Sequence, residues 1–406
     1  MKKVLIVNYC AYIPGEKAIK RTFYLFQMMK DAGYDVTFLT SNFNHYEKKV
    51  RDVNAFYEKY PEYKNSVQFV NMDSYDKNIS LKRFRSNYKC EEELIKWFAK
   101  NIKEYDLVYV SWPMYKFVNK IRKYCDKYGI KLVIDVNDLW PDSLKMVIKS
   151  NFVYNALTWP IQRKTKKAFS YADGIVAVSQ EYLNIASNSN KRATEKLVVY
   201  IGAMLDKFDE GIKTHASSIE KKDGEFWITY IGTLGKSYDI DTVIRAVTEL
   251  RKEKGIDIRF KILGQGPTES GLKKLATELD SDGIDFIGFQ EYGKMAAYLS
   301  KTDVCVNCIK ARASQSIINK AADYFASKKP VLNCGPCVEM RDLIEKYNTG
   351  INYVAENVES LKNAIYELYV NPEKRTEMGK NSRLLAEDKF DRHSTHKRII
   401  DMIDRI

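Results

Sequence analysis

The stretch Phe226-Trp-Ile-Thr-Tyr-Ile-Gly-Thr-Leu-Gly-Lys-Ser-Tyr238 joins an apolar run to a glycine loop, and an amphipathic segment, Asp239–Arg251, follows it. A short apolar run that ends in a glycine loop before a helix is typical of a βαβ unit, where the glycines let the backbone approach a ligand. The same alternation recurs along the whole chain. It predicts an α/β protein with parallel sheets.

Short apolar runs predict the strands of two separate sheets. Those of the first half are Val4–Val7, Val36–Thr40, Val67–Val70, Leu107–Val110, Leu132–Val136, Ile175–Val178 and Leu197–Ile201. Those of the second half are Phe226–Ile231, Ile258–Leu263, Ile284–Ile287, Val304–Val306 and Pro330–Leu332. A chain of 406 residues is too long for one ordinary core. We therefore expect two doubly wound, Rossmann-like domains that face a ligand-binding cleft.

The domain boundaries are predicted from changes in composition. Residues 1–204 form the first domain, the polar and charged segment 205–224 reads as a linker, and residues 225–390 form the second domain. The last segment, 391–406, is predicted as an amphipathic helix that crosses back to the first domain.

The net charge of +13 favours an anionic partner, which can be nucleic acid, an anionic membrane surface or a phosphorylated substrate. No run approaches the roughly 18 apolar residues of a membrane-spanning helix. Seven cysteines, an odd number without a secretory signal, indicate reduced thiols and a cytoplasmic protein. Two C-x2-C pairs, Cys305/Cys308 and Cys334/Cys337, have the spacing of zinc ligands. The first pair falls in a predicted strand with its side chains on opposite faces, so we expect buried thiols and no metal.

The ends of the second domain's predicted strands carry the features of a nucleotide site. Backbone amides and a cation are available in the first loop, a tight turn follows the next strand, and an aromatic ring that can stack on a base ends the third. The candidate binding residues there are Gly232, Thr233, Gly235, Lys236, Gly264, Gly266 and Phe289. A solvated loop lysine and a plain strand-end cap remain alternative readings of Lys236 and Phe289.

A further candidate site lies in Ser314–Leu332. Ser316 is predicted to cap a helix that begins at Ile317, so that free N–H groups and the positive end of the helix dipole face an anion. Lys320 on this helix supplies a point charge for phosphate, and the Asp323 carboxylate can accept hydrogen bonds from a ribose diol. This arrangement suits a nucleoside diphosphate.

These motifs resemble those of GT-B glycosyltransferases, in particular family 4, the retaining enzymes that use sugar nucleotides. The resemblance is carried by Tyr230–Leu250, Lys261–Leu279, Phe286–Phe289 and Ile317–Leu332, the last similar to the form Ser-x-x-Asn-Lys-x-x-Glu-Tyr-x-Ala-x-Gly-Lys-Pro of polysaccharide-building branches. Leu132-Val-Ile-Asp-Val-Asn-Asp-Leu-Trp-Pro-Asp142 and Ala172–Ser179 resemble first-domain signatures of the same enzymes. The resemblance implies a cytoplasmic hexosyltransferase that needs no metal or other cofactor.

The resemblance also implies roles for single residues. The family often has two glutamates eight residues apart, and this chain has Gln315 and Asp323 in their places. The family's phosphate-binding Arg and Lys have no counterpart at Thr233 and Tyr238, which leaves Lys236 and Lys320 as the available cations. Asp138 stands where many members have a donor-sugar histidine. The expected catalytic residues are therefore Asp138, Gln315 and Lys320.

The segment from Ser143 to Ala172 has no acidic residue and alternates basic with apolar side chains, including Trp159. This pattern favours contact with an anionic membrane surface, although a core helix with a solvated basic face would show it too. Membrane contact would suit a polyprenyl-diphosphate-linked acceptor in capsule or O-antigen synthesis, with the protein peripheral at the inner face of the cytoplasmic membrane. His45, in a polar loop after the second predicted strand, either contacts this acceptor or belongs to a plain surface loop.

Two other functions remain open from the sequence. A nucleotide-sugar epimerase of GT-B architecture would use related clefts, although the chain shows no arrangement of paired carboxylates with a histidine. A basic nucleic-acid-binding protein would need basic stripes interleaved with aromatics in both domains. The glycine loops favour a nucleotide-sugar donor over nucleic acid.

Overall fold

The structure is a computed structural model, and it describes residues 2–16, 21–77, 80–141, 148, 150–313 and 316–406. The chain divides into two compact units. Unit 1 comprises Met1–Val199 and His396–Ile406, and unit 2 comprises Tyr200–Thr395. The predicted α/β class with two doubly wound sheets is confirmed, because each unit has a parallel sheet with helices connecting its strands.

Unit 1 is built on a seven-stranded parallel sheet. Its strands are β1 (Lys3–Val7), β2 (Asp35–Ser41), β5 (Val67–Val70), β6 (Leu107–Ser111), β7 (Lys131–Val136), β8 (Gly174–Ala177) and β9 (Glu195–Val198), and a small hairpin pairs β3 (Phe43–Asn44) with β4 (Lys49–Val50). The strand order is β5-β2-β1-β6-β7-β8-β9. The order reverses between β1 and β6, which makes the carboxyl ends of these strands the expected place for a ligand.

Helices α1 to α6 connect these strands and cover both faces of the sheet with apolar side chains. They are α1 (Arg21–Asp31), α2 (Val53–Lys59), α3 (Leu81–Asn101), α4 (Tyr115–Tyr128), α5 (Asn151–Phe169) and α6 (Gln180–Ser187), with short 3-10 turns at Pro61–Tyr63 and Ile102–Glu104. These strands contain few polar residues, as expected for strands that are buried on both faces.

Unit 2 repeats this plan with six parallel strands in the order β12-β11-β10-β13-β14-β15. The strands are β10 (Phe226–Ile231), β11 (Ile258–Leu263), β12 (Ile284–Phe286), β13 (Val304–Asn307), β14 (Val331–Asn333) and β15 (Gly350–Asn352). The helices are α7 (Leu205–His215), α8 (Ile240–Lys254), α9 (Glu269–Glu278), α10 (Tyr292–Lys301), α11 (Ala321–Ala326), α12 (Val338–Lys346), α13 (Val358–Val370) and α14 (Pro372–Leu385), with a 3-10 turn at Ala216–Ser218 and a π-helical turn at Ala386–Phe390. The strand order reverses between β10 and β13.

The C-terminal helix α15 (Arg392–Arg405) returns to the first half of the chain, as predicted. From His396 onward it belongs to unit 1, where Ile399, Met402 and Ile403 are fully buried in the core. The Lys2 Nζ donates to the carbonyl of Ile403 at 2.7 Å, so the two ends of the chain are joined.

The predicted linker 205–224 is wrong over its first half, because Leu205–His215 forms helix α7. Leu205 and Phe208 are buried one turn apart in the core of unit 2. Gly211 packs so closely on α10 that a Cβ there would lie 2.4 Å from the Cα of Gly293. The buried stripe of Leu205, Phe208 and Gly211 is narrow, and the many charged residues of α7 made the segment resemble a linker in the sequence.

In the described parts of the chain, no helix combines the length and the apolar character that crossing a membrane requires. The described cysteines are all free thiols. Cys305 and Cys308 belong to the cores on opposite faces of the unit 2 sheet, as their strand position predicted.

Candidate active site

The site in unit 2 is built where the strand order reverses, at the carboxyl ends of β10, β11 and β13. The loop after β10 and the loop after β11 are joined by hydrogen bonds from the Leu234 N–H to the Gln265 carbonyl, 3.0 Å, and from the Thr268 N–H to the Leu234 carbonyl, 3.1 Å. Each loop therefore holds the other in place. The two loops present backbone groups at the carboxyl-end edge of the sheet, as a phosphate site requires.

Glycine is required at two points where these loops touch. Gly264 has φ +156°, and a Cβ there would lie 1.8 Å from the carbonyl oxygen of Gly232. A Cβ on Gly266 would lie 2.3 Å from the carbonyl oxygen of Leu234. The sequence predicted that these glycines let the backbone approach a ligand. In the structure they let the backbones of the two loops approach each other.

Lys320 lies directly against the first of these loops. Its Nζ is 3.8 Å from the ring centroid of Tyr230 and 4.0 Å from that of Tyr238, and a Cβ on Gly232 would lie 3.1 Å from it. The Nζ is fully buried and has no hydrogen-bond partner among the residues that the structure describes. Burial lowers the pKa of Lys320 to about 7, and an electrostatic interaction with Cys308 opposes this shift.

A buried ammonium without a hydrogen-bonded anion is costly, since desolvation is not repaid. The two tyrosine rings offset part of this cost through cation–π attraction. A cation, two aromatic rings and a glycine backbone surround one point, and this geometry is suited to binding an anion. Sequence reasoning found Lys320 but missed Tyr230 and Tyr238, which are recognisable only by their places at the end of β10 and in its loop.

The predicted helix start at Ser316 is wrong. Helix α11 begins at Ala321 with Lys320 as its N-cap, and it has no side-chain cap. Ser316 and Ile317 precede it in irregular, partly buried structure, and Ile317 packs on the core beneath. The apolar side chains of this segment pack on the core, and the predicted helical turn does not form there. Ser316 therefore does not cap a helix that could bind an anion.

Asp323 therefore lies in the first turn of α11, and its carboxylate accepts a hydrogen bond from the Tyr292 hydroxyl at 2.9 Å. Burial raises the pKa of Asp323 to about 6, while the Tyr292 bond and the positive charge of Arg392 oppose the rise. Burial and the nearby carboxylate also raise the pKa of Tyr292. This pair was not foreseen, because Tyr292 is 31 residues away at the start of α10.

The remaining predicted binding residues of unit 2 surround this centre. Thr233 and Lys236 are exposed in the first loop, and Gly235 accepts a hydrogen bond from the Tyr238 N–H through its carbonyl. Phe289 follows β12 with 65% of its surface exposed, so its ring is available for stacking. Gln315 lies outside the described residues.

A ladder of asparagines, two of them buried, ends the strands beside Ser316. Asn307 donates to Asn333 and Asn333 donates to Asn352, each at 2.7 Å. The Oδ1 of Asn307 is buried and has no partner among the described residues. Sequence reasoning missed these amides, whose only signal is an asparagine at the end of each of three strands.

Asp138 belongs to unit 1 and follows β7, where the side chain of its neighbour Asn137 donates to Ser111. It is exposed just after the carboxyl end of its strand. The structure therefore places Lys320 and Asp323 on one short segment of unit 2 and Asp138 at a strand end of unit 1. No group of side chains in the described residues has the composition of a metal site.

Comparison with known proteins shows what unit 2 is similar to. Residues 212–385 match the family model of glycosyl transferases group 1. An uncharacterized glycosyltransferase of Methanocaldococcus jannaschii is 24% identical over 59% of this chain and 60% of its own length. A protein of Escherichia coli K12 with the name "Putative colanic acid biosynthesis glycosyl transferase WcaI" is 23% identical over 57% of each chain. This chain thus spans less than two thirds of the curated relatives it matches.

Among solved structures, HepE of Anabaena, crystallised in complex with UDP, superposes over 100% of both chains with a TM-score of 0.68 and 14% identity. Such a likeness reports the fold. Residues 212–385 are therefore similar to the glycosyl transferases group 1, and the chain as a whole has the GT-B fold.

Proposed function

We propose that the protein is a retaining glycosyltransferase that moves a hexose from a nucleotide-sugar donor, linked to UDP or GDP, to a glycan or polyprenyl-diphosphate-linked acceptor. The observation that carries the proposal is the buried Nζ of Lys320, which has no hydrogen-bond partner among the described residues and lies beside the Gly232 backbone. A diphosphate is the ligand that a single cation and a glycine backbone at a strand end suit best.

The comparisons support this donor. HepE has been crystallised with UDP and with UDP-glucose, and its chain shares the fold of this one over its full length. Asp323, held by Tyr292, is the group proposed to accept hydrogen bonds from the ribose, and Phe289 to stack on the base. The WcaI likeness supports a role in bacterial surface polysaccharide synthesis, as in capsule or O-antigen.

The proposed chemistry uses the diphosphate itself as the base. The bond between the sugar C1 and the diphosphate oxygen breaks, the acceptor hydroxyl forms a new bond to C1 on the same face, and its proton passes to the departing diphosphate. Lys320 and the Gly232 backbone stabilise the negative charge that develops there. Gln315, an amide where the family often has a glutamate, suits this scheme because it can hold hydroxyls but supplies no nucleophile. Asp138 is proposed to orient the donor sugar.

The first test is calorimetric titration of the full chain with UDP, GDP, ADP and CMP, then with the sugar nucleotides of the base that binds. We expect one base to bind, and Asp323→Ala to weaken it at least tenfold. Lys294→Ala serves as a matched control, since Lys294 is an exposed lysine of α10. Absence of binding by every nucleotide would overturn the proposal.

We propose in addition that α5 contacts an anionic membrane surface. Three large apolar side chains of its first half are exposed, Phe152 by 83%, Leu157 by 64% and Trp159 by 60%. The second half carries Arg163, Lys164, Lys166 and Lys167. Part of the basic segment predicted from the sequence, residues 143–147 and 149, lies outside the described residues.

Flotation with vesicles of phosphatidylglycerol and of phosphatidylcholine tests this contact. We expect binding to the anionic vesicles alone, reduced severalfold by Trp159→Ala with Phe152→Ala. Leu384→Ala, which removes a similarly exposed side chain from unit 2, should bind like the parent protein. Equal flotation with both vesicle types would contradict the proposal.

A further inference from the structure

A second cluster of cations lies in unit 1, at the carboxyl ends of β1, β2 and β5. The hairpin loop between β3 and β4 contributes His45 and Lys48, and the first turn of α3 contributes Arg83. All three converge on the buried ring of Tyr75. The Lys48 Nζ is 5.0 Å and the Arg83 Cζ is 5.9 Å from its centroid, and His45 Nδ1 shares a hydrogen bond with its hydroxyl.

The hydrogen bonds fix the tautomer of His45. The Tyr75 hydroxyl receives a hydrogen bond from the Arg83 side chain, which leaves its own proton available to His45 Nδ1. The Lys48 Nζ, which can only donate, lies 3.4 Å from the same nitrogen. Nδ1 is therefore an acceptor, and the neutral ring carries its proton on Nε2. Guanidinium, ammonium and imidazole N–H make this cluster a set of donors.

The loop that carries these groups is fixed in shape. The buried Asn44 side chain accepts hydrogen bonds from the N–H groups of Tyr46 and Glu47, at 2.9 and 3.0 Å. Lys48 is held in the left-handed region, with φ +58°, which is unfavourable for a residue with a side chain.

The positive charges of Arg83 and Lys48 repel each other. Arg83 lies at the positive end of the 21-residue helix α3, whose first turn contains no acidic residue. Burial, together with the positive charge of Arg83, lowers the pKa of Lys48. Glu47, the acid of the same loop, is exposed and forms no salt bridge with a described residue. A bound anion would relieve both the repulsion and the dipole mismatch.

An aromatic platform adjoins the cations. Tyr46 is 45% exposed and stacks on the buried Tyr12 with ring centroids 4.2 Å apart and planes 8° apart. The His45 ring lies 5.1 Å from that of Tyr46. An exposed aromatic plane beside hydrogen-bond donors is suited to a sugar ring, whose apolar face stacks while its substituents are bonded.

From this juxtaposition we infer that unit 1 binds an anionic sugar, with the ring on Tyr46 and its phosphate or carboxylate between Arg83 and Lys48. The inference rests on the proposed function, because in a glycosyltransferase this sugar would belong to the acceptor. It names the acceptor class as a phosphorylated sugar, a diphosphate-linked sugar or a uronic acid.

The test follows the His45 imidazole by NMR in the full chain, which has four histidines, with assignment by His45→Gln. The probes are inorganic phosphate, glucose 1-phosphate, glucuronate and neutral glucose, at constant ionic strength. We expect the anionic probes to shift the Nε2 and ring signals saturably, and glucose to have no effect. Arg83→Gln should weaken this response at least tenfold, whereas Arg85→Gln, an exposed arginine on the same helix, should leave it unchanged.

A stronger response to the phosphates would identify a phosphorylated acceptor, and a stronger response to glucuronate a uronic acid. An equal response in Arg83→Gln, or an equal response to glucose, would overturn the inference. The nucleotide titration of unit 2 is read separately. If nucleotides bind and the His45 signals do not change with the anionic probes, the anion site is contradicted and the proposed glycosyltransferase function is retained. If the His45 signals change but no nucleotide binds, the glycosyltransferase function is contradicted and the anion site is retained.

Discussion

The Nζ of Lys320 lies 3.8 Å from the ring centroid of Tyr230, fully buried and without a hydrogen-bonded anion among the described residues. This pair links stability to function in unit 2. The folded chain carries the cost of a desolvated cation in the absence of ligand, and a diphosphate would remove that cost on binding. Replacement of Lys320 should therefore separate the two quantities.

Lys320→Met is expected to weaken diphosphate binding at least tenfold and to raise the free energy of unfolding of unit 2 by roughly 2 kcal/mol at pH 7, since one pKa unit corresponds to about 1.4 kcal/mol and the lost cation–π contacts offset part of the gain. Calorimetry measures the first effect and urea unfolding the second. Lys236→Met is the matched control, because Lys236 is exposed in the adjoining loop and its removal should leave stability unchanged. A destabilised Lys320→Met protein would show that the cation serves the fold.

The pH dependence of donor binding should report the same group. Because the pKa of Lys320 is lowered to about 7, the free protein has the ammonium below that pH and loses it above. Affinity for the sugar nucleotide should fall severalfold between pH 6.5 and 8.5, a window in which a sugar-linked diphosphate keeps its charge. Titrations across this range in the parent and in Lys320→Met test it, and a parallel fall in both would exclude Lys320.

Stability should change with pH in the opposite direction. The unfolded chain holds the Lys320 proton up to its ordinary pKa of about 10.4, whereas the folded chain releases it near pH 7. The unfolded state thus binds more protons between these values, so this group makes the protein more stable as pH rises from 7 toward 10. The difference in unfolding free energy between the parent and Lys320→Met should shrink over the same interval. A constant difference would contradict the lowered pKa.

Gly264→Ala tests the close approach of the two loops. The added Cβ would lie 1.8 Å from the Gly232 carbonyl oxygen at a φ of +156°, so the loops must separate. We expect a loss of at least about 3 kcal/mol in unfolding free energy, from backbone strain together with a clash. Gly271→Ala in α9 is the control: nothing lies within 4 Å of its Cβ, and alanine in a helix should add up to about 1 kcal/mol. Equal stability of the two variants would refute the packing described.

The strands were predictable because each is a short apolar run that ends at a turn, and β10 and β11 have the bounds that the sequence indicated. The hairpin of β3 and β4 was missed, since two-residue strands leave no periodic signal. Helix α7 was missed because three close contacts, at Leu205, Phe208 and Gly211, decide its place. A narrow stripe of this kind is invisible in a composition dominated by charge.

For the candidate site, the sequence identified residues that act through type and spacing, and it missed those that act through long-range contact. Lys320 and the glycines were named from motifs. Tyr292 meets Asp323 only because α10 and α11 are neighbours in the folded unit, and the shift of the helix start from Ile317 to Ala321 follows from burial of the preceding segment. Neither fact has a local signature.

The C-terminal segment should be required for the stability of unit 1. Ending the chain after Thr395 removes a helix whose Ile399, Met402 and Ile403 are fully buried against the sheet, and it leaves their apolar contacts open to water. A milder change, Ile403→Ala, should cost about 2–4 kcal/mol, as the removal of a buried isoleucine side chain leaves a cavity. Lys397→Ala, on the exposed side of the same helix, should cost less than about 0.5 kcal/mol. Hydrogen exchange resolves the outcome by unit: the amides of β1 and β2 should lose protection in Ile403→Ala while those of β10 and β11 keep theirs, and unchanged protection in β1 would show that the returning helix is dispensable.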